Sequence, residues 1–339
     1  MDGIKLMRMF SFLILITFSF PLLAKWKKHY IPGARCGDGR DYFVYIKRGD
    51  PKKLAFVFMG GGACWNHSTC FGLNRRAWMH PIPIMTNFGG MTSSNPEFSP
   101  ITKHTSVFFP YCTGDVHVGT HVAKYGLRKA YHVGALNFNS ALEYFKRDGA
   151  ISIDKINDFF IYGYSAGAIG AIYHATKMNK IIPKHARKTL IADAPGLHFG
   201  KSFWKKFPKR YLKDIDAALG IGSFERKVNN GNVSGLIPKL CSILSDWQVG
   251  VLQGSRDIVM SEVFGEINRK EHEKLIFGAG GLYQSTLAGG DNCSAWIPKS
   301  EMHTFFTISQ TTRSIFAGTK SASEYVFDVM DGIKSKNYR

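Results

Sequence analysis

The chain has 339 residues, 45% of them hydrophobic, and a formal net charge of +19. That length suits one large α/β domain with a full core better than two ordinary domains. The charge attracts polyanions, but the basic residues are scattered (Lys27, Lys28; Arg75, Arg76; Lys205, Lys206, Lys209, Arg210) and no nucleic-acid motif accompanies them. The sequence therefore predicts no nucleic-acid partner; acidic polysaccharide, lipopolysaccharide or a membrane surface fits better, and a solvated basic surface with no specific partner fits equally well.

At the N-terminus Lys5 and Arg8 precede an apolar run, Met9 to Leu23, that ends in Ala24. This is the pattern of a secretory signal peptide. The run is short of the ~20 apolar residues of a membrane span and is broken by Ser11, Thr17, Ser19 and Pro21. We expect a leader over 1–24, a single domain over 25–339, no stable membrane span after cleavage, and a secreted or periplasmic product. The six cysteines all follow the leader, and an even number in an exported chain favours disulfides. Cys64/Cys70 and Cys241/Cys293 are the pairs worth naming; there is no C-x-x-C pair of the kind zinc ribbons use.

In chain order, apolar runs rich in Val, Ile, Phe and Tyr recur: "DYFVYI", "KLAFVFMG", "HTSVFFPYC", "NDFFIYGYS", "KTLIADAP" and "WQVGVLQG". Several are apolar nearly throughout, as strands buried on both faces are. Helical patterns lie between them, "VGALNFNSALEYFKRDG" before the fourth run and "AGAIGAIYHATKMN" after it. Such alternation predicts a mostly parallel sheet flanked by helices on both faces. The stretch Phe199 to Leu240 reads as a helical cap inserted between two strands, and "SASEYVFDVMDGIK" as a final helix.

In a parallel sheet, chemistry collects at the carboxyl ends of strands. There, in "YGYSAGA", Gly163 and Gly167 flank Ser165 between a strand and a helix. This is the nucleophile-elbow pattern G-x-S-x-G of α/β-hydrolases, which leaves one hydroxyl free of neighbours. A serine nucleophile needs a base, and its tetrahedral adduct needs fixed N–H donors. "FVFMGGGACWN" puts three glycines directly after a strand, so the N–H groups of Gly61 and Gly62, with that of Ala166, are the expected oxyanion donors. In the usual order of nucleophile, acid and base, the candidates for base are His174, His185, His198, His272 and His303. His174 would lie on the elbow's own helix, too far along to return to Ser165, and His303 in "SEMHTFF" is preferred. Asp257, just past a strand in "WQVGVLQGSRD", is the preferred acid; Asp193 in "LIADAPG" is its rival, with Asp246 and Asp291 in weaker contexts. Asp115, His117, His121 and nearby His132 invite a metal reading, but H-x-x-x-H without a catalytic Glu is incomplete. Neither metal nor cofactor is expected. Trp65, Asp115 and His117 are instead candidates for substrate contact.

The segments "FVFMGGGACWN", "PYCTGDVHVG", "YHVGALNFNSALEYF", "IYGYSAGAIGA" and "LIADAPG" occur in the order and approximate spacing of the pectin acetylesterase family. The resemblance covers roughly residues 36 to 310. It implies an α/β-hydrolase-like fold and metal-free hydrolysis of O-acyl esters, with Ser165 as nucleophile, Asp257 as acid and His303 as base. This chain departs from the pattern at Gly62, where an animal carboxylesterase of the family has Trp, and at Met302, where plant members often have Cys. The reading is an exported serine carboxylesterase acting on an acylated saccharide or other ester, possibly polyanionic, with O-acetyl preferred. Its rivals are an inactive glycan- or lipid-binding module, removal of fatty acyl groups from protein, and a metal-dependent hydrolase.

Overall fold

The computed structural model describes residues 26–82, 89–149, 151–219, 231–333 and 337–339, so the expected leader lies outside the described residues. Eight strands form one sheet in the order β1-β2-β4-β3-β7-β8-β9-β10. They are β1 (Lys27–Arg35), β2 (Asp41–Lys47), β3 (Asp50–Phe58), β4 (His104–Phe109), β7 (Asp158–Tyr164), β8 (Arg187–Asp193), β9 (Gln248–Leu252) and β10 (Cys293–Trp296). From β4 to β10 every neighbouring pair is parallel, while β1 and β2 run antiparallel at one edge. A small hairpin, β5 (His121–Tyr125) and β6 (Arg128–His132), stands apart.

The central strands feed two cores by simple alternation. A short helix, α1 (His67–Cys70), follows β3 in the chain. Phe56, Phe58, Phe159 and Ile161 point to one face, where they meet Phe138 and Phe145 of α2 (Gly134–Arg147) and Ala168 and Ile172 of α3 (Ala166–Met178). Val57, Phe108, Phe160, Tyr162 and Ile191 point to the other, against Tyr325, Val326 and Val329 of the helix Ala322–Met330. Each such side chain taken out of water stabilises the fold by about 1.5–3 kcal/mol. This is the mostly parallel, helix-flanked sheet that the apolar runs predict, in the α/β-hydrolase-like form that the family resemblance implies.

All six expected strands are present. The two edge strands left no comparable trace: β1 is mostly exposed and its register shifts between Tyr30 and Arg35 around Pro32 and Gly33, while β10 has only four residues. Proline is tolerated there because an edge strand has ladder amides to spare. Between β8 and β9 the expected cap contains a 3₁₀ turn at Phe203–Lys206, helix α4 (Lys209–Leu219) and a second 3₁₀ turn at Ser234–Leu236. Disulfides join Cys64 to Cys70 and Cys241 to Cys293, as expected, and also Cys36 to Cys112. The last closes a separation of 76 residues, a constraint worth about 4 kcal/mol in the chain-entropy account.

Candidate active site

Ser165 follows β7 directly and is the N-cap of α3, with φ 54° and ψ −125°. A non-glycine residue held there stores about 1–3 kcal/mol of strain, and its amide is fixed by a 2.8 Å hydrogen bond to the Asp193 carbonyl at the end of β8. The flanking glycines are demanded by close approach. A Cβ on Gly163 would lie 1.9 Å from the Gly167 carbonyl oxygen, and one on Gly167 would lie 2.2 Å from that of Phe58. The strand and the helix can therefore meet at Ser165 only without those side chains.

Beside it lies the glycine loop after β3. Gly62 has φ +79°, and a Cβ there would lie 1.9 Å from the Arg76 carbonyl oxygen. The Trp78 amide donates to the Gly61 carbonyl at 3.2 Å; because the peptide is planar and trans, the Gly62 N–H then points away from that donor. Tyr111 accepts from the Val116 amide and donates to the Gly62 carbonyl, both at 2.8 Å, which pins the loop from beneath. Ala166 is the first residue of α3, so its N–H has no carbonyl partner within the helix.

His303 donates from Nδ1 to Asp257 Oδ2 at 2.8 Å, leaving Nε2 on the far edge of the ring. Asp257 is fully buried, and its other oxygen accepts from the Val259 and Met260 amides at 2.9 Å each. The remaining acceptor position on Oδ2 takes Gln253 Nε2 at 3.1 Å. The carboxylate is thus held at both oxygens, and its orientation fixes the ring. Ser165, Gly61, Gly62 and His303 line one open cleft, together with Arg75, Arg76, Trp78 and Tyr164.

The rival acid does not reach the imidazole by hydrogen bond. Asp193 Oδ2 instead accepts from the amides of Phe305 and Phe306 at 2.8 and 3.0 Å and from the Tyr162 hydroxyl at 2.9 Å. Burial pushes its pKa up to about 6, against these hydrogen bonds and the nearby His303. The other histidines turn elsewhere. His174 donates to the His117 carbonyl and His272 to the Ser255 carbonyl, and His185 is near Asn157 at the opposite end of β7.

Asp115 and His117 are buried and are not among the residues that line the open cleft. Asp115 is 1% exposed and accepts from the Thr113 hydroxyl and the amides of His117, Gly119 and Gly134. His117 is buried and donates from Nε2 to the Met59 carbonyl at 2.8 Å, supporting the strand end from which the glycine loop departs. Burial lowers its pKa, which favours the uncharged ring as a prop for that strand end. His121 pairs with Asp214, and His132 donates to the Thr113 carbonyl, so these side chains do not converge on one point. Trp65 stands behind the site, its ring 4.8 Å from that of Phe207 with Lys206 Nζ over its face.

The sequence reading missed a second, apolar cavity that opens at Ser165. Its walls come from Ile169 of α3, Leu197, Phe203, Phe207, Met260 and Phe264, and its volume is about 90 Å³. The cluster "FWKKF" at 203–207 was the trace available in the sequence, but nothing local says which way those rings face. Ser165 therefore sits between a narrow apolar pocket and a wider, more open cleft that carries Arg75, Arg76 and His303. An ester laid across it would have its acyl group in the former and its alcohol in the latter.

A model of the Pectinacetylesterase family matches residues 22–229. Pectin acetylesterase 11 of Arabidopsis thaliana is 26% identical over 180 residues, 50% of this chain and 44% of that protein. The palmitoleoyl-protein carboxylesterase NOTUM of Schmidtea mediterranea is 24% identical over 165 residues, 45% of this chain and 30% of that protein. The matches thus span less than half the length of either relative. Asp257 and His303 lie beyond the family match, whereas the glycine loop and the Ser165 elbow fall inside it. Matched over more than half its residues, with the strained serine and its glycine loop within that span, the chain belongs to the pectinacetylesterase family.

Proposed function

We propose that this chain is an exported serine carboxylesterase for short O-acyl esters, with 1–24 as its leader and 25–339 as one catalytic unit. Ser165 Oγ attacks the acyl carbonyl carbon while His303 Nε2 takes its proton, and Asp257 stabilises the charged ring. The N–H groups of Gly61, Gly62 and Ala166 receive the oxyanion, each worth about 3 kcal/mol of barrier. The alcohol departs through the open cleft with the proton from His303. Water, deprotonated by the same ring, then releases the acid from the acyl-enzyme.

The observation that carries this reading is the joint placement of Ser165 and His303 on one cleft, with His303 bonded to a buried Asp257. Acyl length follows from volume. A cavity of about 150 Å³ holds a benzene ring, so about 90 Å³ suits two to four carbons better than a fatty chain. This favours acetyl through butyryl, in keeping with the name of the plant relative rather than that of NOTUM. A carrier that is an acidic saccharide would suit the two arginines of the cleft.

A chain-length series of 4-nitrophenyl esters tests the reading. Turnover should be highest from C2 to C4, fall about tenfold or more by C8, and vanish in Ser165→Ala. A binding module would turn over none of them, and a fatty-acyl esterase would favour C8 and longer. A metal-dependent hydrolase would survive the serine substitution and fail on chelation.

A further inference from the structure

Asp193 is fully buried at the end of β8 and is used twice. Its backbone carbonyl accepts the Ser165 amide at 2.8 Å, holding the strained nucleophile from behind. Its carboxylate Oδ2 accepts the consecutive amides of Phe305 and Phe306, two and three residues after His303. Between them Thr304 takes φ +70°, a conformation that a β-branched residue adopts only when its surroundings impose it. The segment from Pro298 to Gln310 contains no regular helix or strand to hold the ring in place. Two charge-assisted hydrogen bonds on one carboxylate oxygen are a direct source of that restraint.

We propose that Asp193 is a positioning residue that ties the Ser165 elbow and the His303 loop to a single point at the end of β8. The inference rests on the esterase reading, because it concerns the register of nucleophile and base. Asp257 orients the ring about its own bond, whereas Asp193 sets where the backbone carrying the ring stands. Tyr162 completes the arrangement by donating its hydroxyl to the same oxygen. The groups facing the carboxylate are therefore Tyr162 and Tyr164 of β7 and His303 of the loop. An error of about 1 Å in such a pair costs on the order of 10²-fold in rate.

The test compares Asp193→Ala with Asp193→Asn on 4-nitrophenyl acetate, with thermal melting to establish that each variant is folded. Asparagine keeps an oxygen acceptor for the two amides and should retain kcat within about tenfold. Alanine removes it and should lose about 100-fold in kcat while KM moves less than about threefold, with the rate of fluorophosphonate labelling at Ser165 falling in parallel. If alanine prevents folding, Asp193→Ser, too short to reach the amides, takes its place with the same expectation. Folded variants with unchanged kcat, a loss confined to KM, or an asparagine variant as damaged as alanine would each overturn the proposal. Wild-type protein inert toward the ester would instead overturn the esterase reading beneath it.

Discussion

Asp257, the proposed acid, has little freedom where it stands. One oxygen is committed to the Val259 and Met260 amides and the other to His303 Nδ1 and Gln253 Nε2, so every position around it is filled by a donor. Asparagine at this site must turn its NH₂ toward either the two amides or the imidazole N–H, donor against donor. If it faces the ring, the histidine is driven to the wrong tautomer and Nε2 can no longer accept the serine proton. We predict that Asp257→Asn lowers kcat by ~10⁴-fold with KM little changed, measured on a short-chain ester. A loss below about tenfold would mean that His303 is not the base.

The strands position the site by carrying its parts to the same end of the sheet: the glycine loop after β3, Ser165 after β7, Asp193 at the end of β8 and Asp257 after β9. The opposite end is tied by charge. Asp158 opens β7 and pairs with Arg187 opening β8 at 2.7 Å, with His104 Nε2 at 3.6 Å. Burial alone would raise the Asp158 pKa, but those two partners outweigh it and hold the carboxyl at about 2. A folded pKa below the unfolded one contributes stability that is full above about pH 4 and lost as pH falls through 2. Asp158→Asn should therefore cost about 2 kcal/mol at pH 7, with the gap to wild type closing near pH 2 in urea unfolding. A gap independent of pH would place the effect in packing.

The same elements explain what could be read from sequence. β3, β4, β7, β8 and β9 were legible because burial on both faces leaves an unbroken apolar run, and Ser165 because the glycines around it answer steric demands at fixed spacing. Asp257 and Asp193 could not be separated in the same way, since both lie at the carboxyl end of a strand and only the third dimension shows which one meets the imidazole. Asp115 and His117 looked like a binding pair because polar residues in a glycine-rich segment usually face solvent; here they turn inward to satisfy buried amides and a carbonyl. The apolar pocket left the weakest trace, since its wall is assembled from α3, the turn after β8, the cap and the segment after Asp257.

At the scale of the molecule, a net charge of +19 would draw an anionic carrier from long range, toward an open cleft that Arg75 and Arg76 line with no acidic side chain among its described lining residues. Screening shortens the reach of this field from ~10 Å at 0.1 M salt to ~3 Å at 1 M. Hydrolysis of an acetylated polyuronate should therefore slow several-fold over that range while 4-nitrophenyl acetate is unaffected; equal salt responses would remove the electrostatic role. Exposing the protein to a fluorophosphonate and locating the adduct by peptide mass spectrometry should find a single modification, on Ser165, abolished in His303→Ala. Modification at another residue, or labelling of Ser165 that persists at full rate without His303, would contradict the account.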